Sequence, residues 1–434
     1  MKIVAHLERN IDPKEVKGLF QSLLLESSSS LYINPFIYPS ENLIRDFPKV
    51  RPHPFLNDVF YFPKEYNLGK KILFELGCYY IQDASATIVP SILDPQENER
   101  ILDMCASPGG KAIRIATLMN NTGLVVANDN SFSRVLTLSQ NVERFGLVNV
   151  MVTTNNFLYF VDDYENYFDR VLCDAPCSGS GMARKEPKML NDWSENKVLK
   201  LTETQEKLLD NAVKFCKPGG IIVYSTCSFS YEENEEIIIK ILAKGEVELL
   251  PIEPFEGSYH HPKLSKTLRL HPNRYQGEGQ FAAKLRKKQI NQSRPSIKID
   301  KNCKQKPLYK DLVSLRFAKY YYNIKNDMYV TSYNEDLKFL QHFKSGMELG
   351  KREDFGFIYH HEASRLVDPF TSIPLTEKQA EAYIRGEELE LNYIDGWHTV
   401  KYKELNLGWV RIKNKRAKNH YPKGLRRNNI TDCF

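Results

Sequence analysis

The central part of the chain alternates short apolar runs with longer amphipathic stretches. This pattern predicts strands that alternate with helices, in the manner of βαβ units. The predicted strands are Arg100–Met104, Leu124–Ala127, Asn149–Thr153, Phe168–Cys173 and Gly220–Tyr224, and the predicted helices are Lys111–Met119, Arg134–Phe145 and about Leu201–Cys216. The alternation indicates an α/β fold with a parallel, doubly wound, Rossmann-like sheet.

Polar motifs follow the predicted strands. In chain order they are the loop Asp103–Lys111, Asp129, Asn156, the segment Asp174–Cys177, and Cys227. Ligands of a doubly wound sheet bind beyond the carboxyl ends of its strands. The motifs are therefore predicted to meet in one crevice.

Segments of different character flank this core. Residues 1–65 combine a helical stretch, Pro13–Leu25, with an irregular part rich in proline and aromatic residues, and they suggest a small N-terminal accessory domain. The core itself is assigned to 66–288. A polar, basic linker is predicted over 289–308 and a further globular unit over 309–434.

Composition excludes several classes of protein. No run approaches the roughly 20 consecutive apolar residues of a membrane span, and the first residues carry charges where a signal peptide would be apolar. We therefore expect a cytosolic protein with no membrane partner. The eight cysteines include no Cys-x-x-Cys pair, so neither a metal site nor a disulfide framework is predicted, and reduced thiols fit best.

Positive charge is concentrated in two segments. Residues 284–310 hold ten Lys/Arg against one acid, and residues 401–434 hold ten against two. Such segments are often only solvated surface. In the second, however, Trp409, His420 and Tyr421 alternate with cations and are predicted to offer stacking surfaces beside phosphate-binding groups. This favours a polyanionic partner.

The loop Asp103–Lys111 is suited to a small cofactor. It joins a predicted strand to a helix, so backbone N–H groups and a helix N-terminus face the ligand. Its glycine spacing matches neither the dinucleotide fingerprint nor the P-loop, which disfavours NAD and ATP. Asp129, after the next strand, is expected to accept hydrogen bonds from ribose hydroxyls, although a simple helix N-cap is the alternative.

Cys177 and Cys227 are candidate nucleophiles because both lie in strand-to-helix turns, where thiolates form readily. Together with the glycine loop, their motifs Asp174–Gly179 and Ser225–Ser228 resemble those of the Sun-type (NSUN-like) family of RNA cytosine-5 methyltransferases. Further similar segments are Tyr80–Ala86, Arg184–Pro187, Glu232–Glu235, His271–Pro272 and Gly277–Gly279.

The resemblance implies a cofactor, S-adenosylmethionine, and roles for individual residues. Cys227 would attack carbon 6 of cytosine, Cys177 would be needed for product release, and Asp174 would also contact the edge of the base. The residues implied to contact the cofactor are Cys105, Ala106, Ser107, Pro108, Gly109, Gly110, Lys111, Asp129, Asn156 and Asp174. Asn156 replaces the usual Asp of the family, and Tyr32 stands where members tend to carry Arg.

The C-terminal unit is similar to the PUA-like RNA-binding domain of bacterial small-subunit ribosomal RNA methyltransferases, through Ala380–Glu387, Leu407–Trp409 and Lys418–Pro422. The resemblance implies methylation of cytosine in 16S ribosomal RNA by a protein that we expect to be a monomer. The alternatives are the same chemistry on transfer RNA or another ribosomal site, and a catalytically silent RNA-binding assembly factor. A DNA cytosine methyltransferase would leave Cys227 and the terminal unit unexplained.

Overall fold

The structure is a computed structural model, which describes residues 2–159, 164–289, 306–307, 320–324, 327–333, 342–353, 356–365 and 370–430. The predicted linker, 289–308, lies outside the described residues except at 289 and 306–307. No helix within the described ranges combines the length and the apolar character needed to span a bilayer.

The N-terminal part forms a small antiparallel sheet with short helices. Its elements are α1 (Lys2–Leu7), α2 (Pro13–Ser22), β1 (Ser30–Ile33), α3 (Ser40–Asp46), β2 (Arg51–Pro52), β3 (Val59–Tyr61), α4 (Ile72–Glu75) and β4 (Tyr79–Ile81). The strand order is β2-β3-β1-β4. Helix α2 begins where Asp12 caps it by accepting a hydrogen bond from the Lys14 N–H, as expected when an acidic N-cap precedes a proline at the first helical position.

The core is the predicted doubly wound sheet. Its elements are α5 (Ala84–Leu93), β5 (Arg100–Asp103), α6 (Gly110–Leu118), β6 (Leu124–Asn128), α7 (Phe132–Phe145), β7 (Val150–Thr153), β8 (Phe168–Asp174), α8 (Lys188–Asn191), α9 (Glu195–Phe215), β9 (Cys216–Thr226) and α10 (Glu235–Ala243). Strands β7-β6-β5-β8-β9 are neighbours and run parallel. The strand order reverses between β5 and β8, which is where such sheets bind ligands.

Two apolar layers cover the faces of this sheet. One contains Ile113 of α6 and Leu138 of α7, and the other contains Leu209 of α9 and Ile238 of α10. The parallel strands are therefore buried on both faces, which explains their nearly continuous apolar sequences.

The next strands along the chain extend the core sheet and form one further sheet. They are β10 (Val247–Leu250), β11 (Ser258–Tyr259), β12 (Leu268–Leu270), β13 (Gln280–Lys287), β14 (Lys306–Pro307), β15 (Tyr320–Ile324), β16 (Asp327–Thr331), β17 (His342–Ser345), β18 (Met347–Glu353) and β19 (Gly356–Tyr359). Strand β13 pairs antiparallel with β9, and β17 pairs antiparallel with β7 at the opposite edge. A strand from the C-terminal part therefore completes the central sheet.

The last sheet holds the basic segment of the C-terminus. Its strands are β20 (Ser372–Pro374), β21 (Leu389–Glu390), β22 (Gly396–Tyr402), β23 (Leu405–Lys413) and β24 (Arg416–Asn419), and helix α11 (Glu377–Arg385) lies between β20 and β21 in the chain. Its apolar residues share one buried cluster with the N-terminal part, in which Leu43 and Ile72 join Ile384 and Val410. The two ends of the chain therefore pack together, and the domain limits remain predictions.

Candidate active site

The glycine loop connects β5 to α6 at the point where the strand order reverses. Gly109 has φ of 116°, a backbone conformation that favours glycine. A Cβ atom there would also lie 3.0 Å from Leu138 Cδ1. The loop is held from neighbouring strands, since the Ala106 N–H donates to Asn128 O at 2.7 Å. Its sequence therefore specifies a tight turn that leaves the start of α6 facing the crevice.

Two polar atoms at this loop are buried and, among the described residues, have no hydrogen-bond partner: Asp103 Oδ2 and Ser107 Oγ. Asp103 is fully buried, and burial together with the negative charge of Asp174 raises its pKa from 3.8 to about 8. Buried polar atoms without partners are rare in folded proteins. They fit a crevice that receives the polar groups of a ligand.

Asp129 and Asn156 follow the next two strands, as predicted. Asp129 is buried, its Oδ1 accepts from the Ser131 N–H at 3.0 Å, and its Oδ2 is 3.3 Å from the Arg134 guanidinium. Asn156 is exposed, and its amide oxygen accepts from the Leu158 N–H at 3.2 Å. Both side chains lie at the strand ends that border the glycine loop. The acceptor oxygens of this edge suit the hydroxyl and amino groups of S-adenosylmethionine, which donate hydrogen bonds.

Asp174 ends β8 and is held by two donors. Lys111 Nζ lies 2.8 Å from Asp174 Oδ2, and Ser225 Oγ donates to Oδ1 at 2.6 Å. Burial lowers the pKa of the Lys111 ammonium, but the Asp174 carboxylate more than offsets this effect, and the pKa is raised. Lys111, assigned above only to the cofactor, therefore also orients a carboxylate. The sequence contained no sign of the contribution of Ser225.

The two cysteines come together as predicted, with their Sγ atoms 3.2 Å apart. The hydrogen bond to Cys227, followed by burial, raises the pKa of the Cys177 thiol well above its usual value. This contact and burial therefore favour the protonated form of the Cys177 thiol, and its sulfur lies within hydrogen-bond distance of the Cys227 sulfur.

Backbone contacts fix the two cysteine loops relative to each other. The Gly181 N–H donates to Cys227 O at 2.7 Å, and the Gly279 N–H donates to Gly181 O at 2.9 Å. A Cβ atom on Gly181 would lie 2.5 Å from Cys227 O and 2.8 Å from Gly279 Cα. Glycine is therefore required at positions 181 and 279, where these backbones cross.

Tyr32 has a structural role that the sequence did not reveal. It is fully buried, stacks on Tyr80 at 5.4 Å, and donates its hydroxyl to Gly110 O at 2.8 Å. Instead of contacting a ligand at the surface, it joins the N-terminal sheet to the first residue of α6, the helix that follows the cofactor loop.

The prediction of stacking surfaces at Trp409 and Tyr421 is wrong. Trp409 is 1% exposed and donates its indole N–H to His360 O at 3.1 Å, and Tyr421 is also buried. The partly exposed aromatic residue of this sheet is Trp397, whose ring centroid lies 4.4 Å from that of His420. The sequence pattern did not single out Trp397 as a binding residue.

Outside the crevice, Glu143, His360 and Glu362 each have a potential ligand atom within 4.8 Å of the others. Lys344 Nζ contacts Glu362 and lies 4.0 Å from Glu143. A lysine ammonium therefore already supplies the positive charge in this cluster.

Comparisons with known proteins agree with this architecture. The family model for 16S rRNA methyltransferase RsmB/F matches residues 90–286, and that for the methyltransferase RsmF PUA domain matches residues 370–427. Ribosomal RNA small subunit methyltransferase F of Shewanella piezotolerans is 33% identical over 393 residues, covering 85% of this chain and 83% of the relative. The tRNA (cytosine(49)-C(5))-methyltransferase of Pyrococcus abyssi is 39% identical over 257 residues, covering 56% of this chain and 82% of that protein.

A solved methyltransferase homolog from Pyrococcus horikoshii superposes with a TM-score of 0.58 at 28% identity, covering 65% of this chain and 93% of that chain. Fold and crevice thus define a methyltransferase of the doubly wound class that uses S-adenosylmethionine. The chain belongs to the RsmF branch of the 16S rRNA methyltransferase RsmB/F family. The family resemblance found in the motifs, the α/β fold and the cofactor are confirmed.

Proposed function

We propose that the protein transfers a methyl group to carbon 5 of a cytosine in small-subunit ribosomal RNA, through a covalent bond between Cys227 and carbon 6. The main support for this proposal is the pair of cysteine sulfurs, which lie 3.2 Å apart at the strand ends that border the cofactor loop. When bound, S-adenosylmethionine supplies the methyl group. The residues suited to hold it are those of the loop Cys105–Lys111, together with Asp129, Asn156 and Asp174.

The first task of the chain is to activate carbon 5. Addition of the Cys227 thiolate to carbon 6 turns the base into an enamine, in which carbon 5 is nucleophilic. Lys111 contributes a positive charge near this sulfur, since Asp174 and Cys227 both raise the pKa of its ammonium. An electropositive setting of this kind favours a thiolate.

The second task is to remove the proton from carbon 5 after methylation. Once Cys227 is bonded to carbon 6, the hydrogen bond that raises the pKa of the Cys177 thiol is weakened. The Cys177 thiol then releases its proton to water, and the resulting thiolate accepts the proton from carbon 5. The C–H electron pair forms the 5,6 double bond, and the C6–S bond breaks to release the Cys227 thiolate.

Asp174 accounts for the choice of base. Its carboxylate only accepts hydrogen bonds, and the exocyclic amine of cytosine donates one. Uracil presents a carbonyl at that position, which would leave two acceptors facing each other. The contacts from Lys111 and Ser225 keep the carboxylate in one orientation.

The C-terminal sheet supports an RNA substrate. Trp397, Arg411 and Lys418 are cross-strand neighbours on β22, β23 and β24, so an aromatic ring lies beside two exposed cations. Aromatic residues and cations in this arrangement stack on bases and pair with phosphates. The ribosomal relative matches over 393 residues, whereas the transfer RNA enzyme matches over 257, which favours ribosomal RNA. Such a substrate implies action in the cytoplasm.

Bisulfite sequencing of ribosomal and transfer RNA tests this assignment. It compares cells in which the chromosomal gene is deleted and replaced by a plasmid copy of either the wild-type or the Cys227→Ala gene. We expect a cytosine in 16S ribosomal RNA to be protected only with the wild-type gene. Protection confined to transfer RNA would refute the substrate. Equal protection with Cys227→Ala would refute the mechanism.

A further inference from the structure

Glu233 is a buried carboxylate that has no part in the steps above, although it lies between the two cysteine loops. It is 0% exposed and precedes α10. Burying a carboxylate is costly unless its oxygens accept hydrogen bonds or face a positive charge. Among the described residues, no Lys, Arg or His forms an ion pair with Glu233. The donors that surround it therefore indicate its purpose.

Four donors converge on this carboxylate. Oε1 accepts from the Ser178 N–H at 2.8 Å and from Gln205 Nε2 at 3.0 Å. Oε2 accepts from Ser178 Oγ at 2.6 Å and from Ser228 Oγ. Ser178 follows Cys177, and Ser228 follows Cys227. Each cysteine is therefore one residue away from a donor to the same carboxylate.

We propose that Glu233 is a positioning residue that keeps the Cys177 sulfur within reach of the base that Cys227 holds. A carboxylate is suited to this task because both of its oxygens only accept hydrogen bonds. An amide offers one accepting oxygen and directs N–H groups at the other donors. Alanine offers neither. This inference rests on the proposed function, since it concerns the cooperation of the two thiols.

The two loops do not depend on Glu233 equally. Ser178 gives it both its N–H and its hydroxyl, whereas Ser228 gives only its hydroxyl. The Cys227 loop has further anchors, because Thr226 Oγ1 donates to Asn234 Oδ1 at 2.6 Å and Asn234 Nδ2 donates to Ser228 O at 2.8 Å. Loss of Glu233 should therefore displace Cys177 more than Cys227. Proton removal should suffer more than the initial attack.

The test compares Glu233→Ala and Glu233→Gln with wild type in turnover with S-adenosylmethionine and substrate RNA. We expect kcat to fall on the order of 100-fold for alanine, the effect of a displacement of about 1 Å, and less for glutamine. The Kd for RNA, measured without S-adenosylmethionine, should stay within about two-fold, because the binding surface is unchanged. Both variants should accumulate a covalent protein–RNA complex on denaturing gels, more with alanine than with glutamine.

Glu235→Gln is the matched control. Glu235 is also fully buried and lies two residues away, but its carboxylate pairs with Arg269 and bonds to neither serine. When its melting temperature equals that of the Glu233 variants, Glu235→Gln should show no more covalent complex than wild type. If alanine does not fold, glutamine carries the test alone.

Cys177→Ala, run in parallel, distinguishes failure of the proposed mechanism from failure of the positioning role of Glu233. No complex with Cys177→Ala would overturn the proposed mechanism. A complex with Cys177→Ala but none with either Glu233 variant would overturn only the positioning role. Equal loss of product and complex in the Glu233 variants would also overturn it, because a purely structural defect predicts that result.

Discussion

Asp103 should make the stability of the protein depend on pH, and the substitution Asp103→Asn should abolish this contribution to the pH dependence. The carboxyl is fully buried, and burial with the nearby Asp174 charge raises its pKa from 3.8 to about 8. Because the folded pKa is above the unfolded one, the folded protein binds this proton more tightly. The contribution of this group to stability is therefore greatest below pH 4 and falls as the pH rises towards 8.

The magnitude follows from the two pKa values. Each pH unit between them changes the free energy of unfolding by about 1.4 kcal/mol. Between pH 5 and pH 7 the loss from Asp103 alone is about 2.5 kcal/mol. Asp103→Asn keeps the shape of the side chain and the acceptor for the Cys105 N–H, but it does not titrate. The variant should therefore gain about 2.5 kcal/mol relative to wild type over this interval.

Urea unfolding followed by circular dichroism at pH 5, 6 and 7 measures this difference. Asp192→Asn removes an exposed carboxyl and controls for the change in net charge. Parallel pH profiles for wild type and Asp103→Asn would show that the Asp103 carboxyl is ionised in the folded protein. That result would refute the reasoning from burial.

Three further predictions concern binding. Trp397→Ala should weaken RNA binding by about 1–3 kcal/mol through lost stacking. Arg411→Ala should reduce the slope of log affinity against log salt concentration by about one. Filter binding at several salt concentrations measures both effects, and an unchanged slope would contradict the assignment of this surface to RNA binding. Asn156→Asp should bind S-adenosylmethionine as tightly as wild type or more tightly, because a carboxylate is the stronger acceptor for an amino group, and a large loss in calorimetry would contradict its position beside the adenine.

The sequence predicted the core and the meeting of its motifs because both depend on local patterns. Alternating strands and helices predict a parallel sheet, and the residues after each strand then lie at one edge. Cys177, Cys227 and Asp174 could be placed at this edge of the sheet in this way, and the two cysteines do lie together there.

The errors and omissions concern contacts between residues far apart in the chain. In strict alternation along β23, Trp409 shares a face with Arg411, but the segment around His360 covers it. Strand β17 completes the central sheet by pairing with β7, and its sequence gives no sign of that partner. The four donors to Glu233 come from three separate segments. Such contacts follow from tertiary packing, which overrides local pattern.

The division of labour between the two cysteines is the central claim, and a denaturing gel tests it directly. Cys177→Ala, Cys227→Ala and the double variant are each incubated with S-adenosylmethionine and substrate RNA. The account predicts a reductant-resistant protein–RNA band for Cys177→Ala, because attack proceeds but the proton on carbon 5 is not removed. Cys227→Ala and the double variant should give none. A band with Cys227→Ala and none with Cys177→Ala would contradict the account, because Cys177 would then be the nucleophile.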